Sequence, residues 1–165
     1  MLKTIQNFNL VNFLILLNTT ILLGACSDDK EKNVNQGCEI CKDGCSGSVC
    51  VIECGSTGCS ERVMNCPTGM TCQISCNGTD ACDTTTVNCA PGSACSIHCE
   101  GTDACGDLIL QCGSSDCSIH CGTTDSSCDG TVVNCGTGKC SASCEATSKP
   151  DAMNNCNTAS SCTQC

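Results

Sequence analysis

Residues 72–99 read CQISCNGTDACDTTTVNCAPGSACSIHC. Cys72-Gln73-Ile74-Ser75-Cys76 and Cys95-Ser96-Ile97-His98-Cys99 are two copies of one pattern: cysteine, polar, isoleucine, polar, cysteine. Alternation with period two sends the cysteines and isoleucine to one face of an extended strand and the polar residues to the other. The pattern recurs in Cys50-Val51-Ile52-Glu53-Cys54 and Cys117-Ser118-Ile119-His120-Cys121. Glu53, Gln73, Ser75, Ser96, His98, Ser118 and His120 therefore face outward, and Val51 alone breaks the polar side.

Moving outward from this stretch, the cysteines fall into four columns. The first holds Cys50, Cys72, Cys95, Cys117, Cys140 and Cys162, and the second Cys54, Cys76, Cys99, Cys121, Cys144 and Cys165. The third holds Cys38, Cys59, Cys82, Cys105 and Cys128, and the fourth Cys45, Cys66, Cys89, Cys112, Cys135 and Cys156. Each column steps by 21 to 23 residues, and only Cys41 stands outside the columns after Cys38. A fixed period in the twenties marks stacked supersecondary units rather than a closed globule.

The second half of each period alternates as well. Met64, Val87, Leu110 and Val133 stand two residues before a fourth-column cysteine, with Asn65, Asn88, Gln111 or Asn134 between them facing out. Glycines follow the second- and fourth-column cysteines (Gly55, Gly69, Gly78, Gly92, Gly101, Gly113, Gly122, Gly136) and are expected to supply the positive φ of tight turns. Strand, turn, strand, turn in 22–23 residues predicts an all-β fold, a small disulfide-braced parallel β-solenoid of about five to six coils over residues 38–165. Coils ~4.8 Å apart would make a rod roughly 25–28 Å long. This architecture resembles the disulfide-braced β-helices of insect antifreeze proteins, and the repeat has a general likeness to cysteine-rich repeat lipoproteins of bacteria.

Composition fits that reading. The 165 residues contain 25 cysteines and two aromatics, Phe8 and Phe13, so the body lacks the side chains of an ordinary apolar core. Such cysteine density points to an oxidising compartment rather than the cytosol. A net charge of -10 argues against a nucleic-acid partner, because phosphate binding needs a basic patch. The body shows no catalytic motif and Arg62 is its one arginine, so the chain is not expected to be an enzyme.

At the N-terminus, Lys3 precedes an apolar run from Leu10 to Leu23, too short and too polar for a membrane span and typical of a secretory signal peptide, residues 1–25. It ends in Leu23-Gly24-Ala25-Cys26, which resembles the lipobox of bacterial lipoproteins. The resemblance implies cleavage before Cys26, acylation (palmitate) of that cysteine, and the lipid membrane as partner. Ordinary cleavage after Ala25 fits less well, because Leu23 occupies the position where that enzyme prefers a small residue. It would also leave an odd thiol, whereas setting Cys26 aside leaves an even number of cysteines for disulfides. Residues 26–37, the lipidated cysteine and a polar stretch, read as a tether. Ser27 and the acidic pair Asp28 and Asp29 resemble sorting and export signals for the outer membrane and the cell surface.

Pairing of the cysteines follows strand geometry in part. Four residues along a strand separate Cα atoms by ~13 Å, beyond the ~7 Å reach of a disulfide, so first and second columns do not pair with each other. Two kinds of bridge across turns are within reach. The second column meets the third in Cys54–Cys59, Cys76–Cys82, Cys99–Cys105 and Cys121–Cys128. The fourth meets the first in Cys45–Cys50, Cys66–Cys72, Cys89–Cys95, Cys112–Cys117, Cys135–Cys140 and Cys156–Cys162. Cys38–Cys41 and Cys144–Cys165 then remain for the two ends, and bridges between stacked coils satisfy the same geometry throughout.

Several clusters could carry chemistry. Free thiols in this number could form a metal-thiolate site, though export favours disulfides. His98 and His120 occupy one outward position on successive coils, where two imidazoles could hold copper or zinc. The third-column turns are acidic, with Asp80, Asp83, Asp103, Asp107, Asp125 and Asp129, and such oxygen ligands could bind Ca²⁺. Asp also serves turns for purely local reasons, and the glycine-aspartate nonapeptides of calcium solenoids are missing. The threonines do not form the flat ladder that ice binding would need. The expected function is a membrane-anchored, surface-exposed lipoprotein with a structural or adhesive role toward a protein or carbohydrate, needing no cofactor. The alternative is a metal-binding surface protein using Ca²⁺, copper or zinc.

Overall fold

The computed structural model describes Cys41 and residues 43–165, and these form an all-β parallel solenoid without helix. Twelve strands occur in chain order: β1 (Cys45–Ser46), β2 (Val49–Cys54), β3 (Val63–Asn65), β4 (Thr71–Asn77), β5 (Thr86–Asn88), β6 (Cys95–Glu100), β7 (Ile109–Gln111), β8 (Cys117–Cys121), β9 (Val132–Asn134), β10 (Lys139–Cys144), β11 (Ala152–Asn154) and β12 (Ser161–Thr163). From β2 on, even strands stack into one sheet and odd strands into another, each pair parallel; β1 alone is antiparallel, folding back on β2. The signal-peptide and tether segments, residues 1–37, and with them Cys26, lie outside the described residues, as does Cys38.

The cysteine columns are the sheet register. Cys72 stands beside Cys95, Ile74 beside Ile97 and Cys76 beside Cys99, and the row continues to Cys117, Ile119 and Cys121. All nine side chains face the interior, none more than 3% exposed. Across from them, Val87, Leu110 and Val133 line the second sheet at 1% or less. The interior is therefore narrow, with one aliphatic residue per strand framed by sulfur.

A third stacked side lies where only turns were expected. Around residues 79–84 and 102–107 successive coils are joined by backbone hydrogen bonds, from Asp80 N to Thr102 O (3.1 Å), Cys82 N to Ala104 O (2.7 Å) and Thr84 N to Gly106 O (2.7 Å). The segment curls through left-handed residues four apart, repeated in three successive coils: Thr57 and Glu61, Asp80 and Thr84, Asp103 and Asp107. Aspartate tolerates this conformation better than most residues, which gives these acids a backbone role. Inside the third side Ala81 and Ala104 are buried, and Thr85 and Thr131 donate their hydroxyls to the carbonyls of Cys59 and Cys105 in the preceding coil.

The glycines divide in two. Gly69, Gly78, Gly92 and Gly101 have the expected positive φ, but Gly55, Gly113, Gly122 and Gly136 do not. At Gly113 and Gly136 a Cβ would meet the backbone of the preceding coil. There glycine serves close approach between coils rather than turn conformation.

Nine disulfides cross turns within a coil, with Cα–Cα distances of 5.3–6.0 Å. Four join the second column to the third (Cys54–Cys59, Cys76–Cys82, Cys99–Cys105, Cys121–Cys128), and five join the fourth to the first, from Cys66–Cys72 to Cys156–Cys162. Cys144–Cys165 links two successive coils. The N-terminal end differs from the sequence expectation. Cys50 bonds Cys41, not Cys45, and Cys41 is thereby withdrawn from the pairing proposed with Cys38. The cause is β1. Among the described residues no second-sheet strand precedes it, so Cys45 arrives on an antiparallel hairpin rather than around a coil, and Cys41 takes the buried place beside Cys50. Each closure of five to seven residues contributes about 2 kcal/mol in the chain-entropy account. Against so thin a core, this cross-linking is the main source of stability.

Candidate functional site

The outward face of the even-numbered sheet is a grid set by register. One row runs Glu53, Ser75, His98, His120, Ser143, and the next, one residue past the second cysteine column, runs Gly55, Asn77, Glu100, Gly122, Glu145. The strands are pinned on their inner side by isoleucine and disulfides, so the outward side chains inherit fixed positions coil after coil.

His98 and His120 stack face to face, ring centroids 4.5 Å apart and planes within 1°. His98 Nε2 stands 3.6 Å from Glu100 Oε1, and His120 Nε2 stands 3.4 Å from Glu145 Oε1. His120 Nδ1 lies 3.0 Å from Ser143 Oγ. Gly122 makes this arrangement possible. It is buried beneath the Glu100 carboxyl, which occupies the space that a side chain at 122 would take. With no Cβ in the way, Glu100 lies across the intervening coil on the side of Glu145.

Ligand atoms of His98, Glu100 and His120 all lie within 4.8 Å of one another. Among the described residues the other such groups are three sulfur trios: Cys54, Cys76 and Cys82; Cys66, Cys72 and Cys95; and Cys135, Cys156 and Cys162. Every cysteine from Cys41 to Cys165 is in a disulfide, Cys45 included, so the trios are stacked disulfides rather than thiolate sites. In one of them Cys66 Sγ lies 3.6 Å from Cys95 Sγ of the neighbouring disulfide.

The acidic turns are laid out differently from the histidine cluster. No trio of ligand atoms from Asp80, Asp83, Asp103 and Asp107 comes within 4.8 Å among the described residues. The Asp83 and Asp107 carboxyls instead lie over Gly106 and Gly130 of the next coil. Glu145 and the role of Gly122, read only as a turn glycine, escaped the sequence reading, as did Ser143. Aligning the residue after each second-column cysteine would have found the first two, since it places Glu100 and Glu145 on either side of a glycine.

The second sheet carries an outward amide ladder. Asn88 Nδ2 donates to Asn65 Oδ1 (2.8 Å) and Asn154 Nδ2 to Asn134 Oδ1 (2.9 Å), with Gln111 between the two pairs. No protein-family model matches the chain, and comparison with curated proteins and with solved structures finds no match.

Proposed function

We propose that this chain is a lipid-anchored surface protein whose disulfide-braced rod serves structural or adhesive contact at the cell envelope. The fold is of a kind suited to a structural or binding role: rigid, cross-linked in every coil and polar outside. The observation that carries the reading is the outward register, which repeats hydroxyl and amide groups at one spacing along both sheets. Such a ladder meets a repeating ligand, a polysaccharide, a mineral face or another protein, at several points with little loss of conformational freedom. The anchor half of the proposal rests on the Leu23-Gly24-Ala25-Cys26 stretch and on cysteine parity.

Intact mass measured on protein taken from its native membrane tests the anchor and the brace together. The expected species is Cys26 to Cys165 plus acyl chains, with the cysteines after Cys26 reacting with a thiol alkylator only after reduction. A mass starting at Ser27, or an unacylated Cys26, would remove the anchor. The adhesive half is tested by binding of the oxidised protein to immobilised envelope polysaccharide, to mineral and to matrix protein. Binding abolished by reduction and alkylation is expected for one of the three, and equal retention of the oxidised and reduced forms on all three would overturn it.

A further inference from the structure

We propose that His98, His120, Glu100 and Glu145 form a binding site for a divalent first-row metal ion of the zinc and copper class, set in the notch over Gly122. Four observations converge. First, His98, Glu100 and His120 bring two imidazoles and a carboxylate within 4.8 Å of one another, with Glu145 outside that trio beside His120. Nitrogen with oxygen is a combination that Zn²⁺ accepts in tetrahedral sites and Cu²⁺ in tetragonal ones. Second, the nitrogen–oxygen separations, 3.6 Å for His98 with Glu100 and 3.4 Å for His120 with Glu145, exceed a hydrogen bond. The 3.4 Å of His120 with Glu145 matches the edge of a tetrahedron whose ligands stand 2.0–2.1 Å from its centre, about 3.3–3.4 Å, and the 3.6 Å of His98 with Glu100 is slightly longer.

Third, Ser143 Oγ lies within hydrogen-bond reach of His120 Nδ1. In the tautomer where the hydroxyl accepts an Nδ1–H, the Nε2 lone pair is left for a metal, the arrangement usual for histidine ligands. Fourth, the glycine in the middle of the second row gives the cluster its space. A side chain at position 122 would expel the Glu100 carboxyl.

The stacked rings need one adjustment. In-plane lone pairs of two parallel imidazoles do not point at a common centre, so ligation turns each ring about its Cβ–Cγ bond. That torsion is broad and soft, and both rings are partly exposed. The backbone supplies the preorganisation: the strand register between β6, β8 and β10 brings the four donors onto adjacent coils before the ion arrives. This site does not depend on the lipid anchor or on adhesion.

The test is calorimetric titration of the oxidised full chain with Zn²⁺ and with Cu²⁺, beside H98Q/H120Q, E145Q and G122A. Wild type is expected to bind one ion saturably. H98Q/H120Q should weaken binding at least about 100-fold, and E145Q by about 3- to 10-fold. G122A should weaken it by displacing Glu100. Cys26 is present in every variant, so any ion held by that thiol cancels in the comparison. Unchanged far-ultraviolet circular dichroism and an unchanged count of protected cysteines show that each variant is folded. Absence of saturable binding up to about 1 mM, or equal binding by H98Q/H120Q, would overturn the proposal.

Discussion

Val87, Leu110 and Val133 are sealed inside the inner coils, whereas Met153, next in the same row, is only half-buried in the last coil. Cys156 and Cys162 are likewise half-buried, while their counterparts Cys89 and Cys95 are buried. The register shows what changed. Val133 and Met153 are paired neighbours only 20 residues apart, where Leu110 and Val133 are 23 apart, and the shortening falls in the third side. With it goes the third-column cysteine, so Cys144 has no partner across a turn and bonds Cys165 instead. The backbone ladder of the third side still has to end. Cys82 N and Cys105 N donate to the carbonyls of Ala104 and Ser127 on the next coil, but Cys128 N donates to the Ser148 hydroxyl at 2.7 Å. An inner coil is closed by its neighbour, and the last coil is closed by a side chain and one long disulfide.

The largest expected effect tests whether that difference is energetic. In C99A/C105A two fully buried sulfurs vanish from the middle of the stack, together with a short loop closure. A loss of about 3–5 kcal/mol is expected, combining the closure with the space left behind. Loop length alone would rank C144A/C165A higher, at about 3 kcal/mol for its 21-residue closure against about 2. The comparison of coils predicts the reverse. The end coil has one neighbour, so its loosening stays local, whereas an inner defect severs two interfaces. Denaturant melts should move strongly for C99A/C105A and little for C144A/C165A, while hydrogen exchange in β12 rises steeply in the latter. Equal shifts in the two melts would break the distinction.

Ser148→Ala probes the cap itself, with a smaller effect. It leaves the buried N–H of Cys128 without its acceptor, at a cost of about 1–3 kcal/mol. Exchange at the Cys128 amide should accelerate well before that at Cys105, whose acceptor is a neighbouring backbone carbonyl. Equal protection at the two amides would remove Ser148 from this role.

The same contrast separates what was legible in the sequence from what was not. Period-two alternation and evenly spaced cysteines are local signals, so the even-numbered sheet, its inward isoleucines and the outward histidine pair could be read directly. The third side could not, because its left-handed residues, Thr57, Glu61, Asp80, Thr84, Asp103 and Asp107, do not alternate like a strand. Asp80, Asp103 and Asp107, candidate ligands by type, also take up the left-handed backbone of this side. Pairing at Cys41 was hidden for another reason. It depends on β1 reversing direction, and Gly44 and Gly47 signal a turn without saying which cysteine it brings inward. The proposed site was half visible. Stacking of His98 on His120 follows from their common position, but the Glu100 carboxyl lies over Gly122 of the next coil and Glu145 meets His120 from the coil beyond, which is a property of three coils together.

The smallest effect should have the opposite sign to Ser148→Ala, although the substitution is chemically the same. Ser127 is fully buried in the row of Ala81 and Ala104, and its hydroxyl has no hydrogen-bond partner. Its backbone already does what the row requires: the carbonyl accepts from Cys105 N at 2.9 Å and the amide donates to Thr124 O at 3.1 Å. Only the hydroxyl is left over. Desolvating a hydroxyl without a partner costs about 1–3 kcal/mol by mutational measures. Ser127→Ala removes that cost, keeps the backbone ladder and continues the alanine row, so stability should rise by up to about 1 kcal/mol or stay level. Parallel melts of S127A and S148A sharpen the comparison between coils to one atom on each. A destabilised S127A would mean that the inner coil, like the last one, relies on a serine side chain to close it.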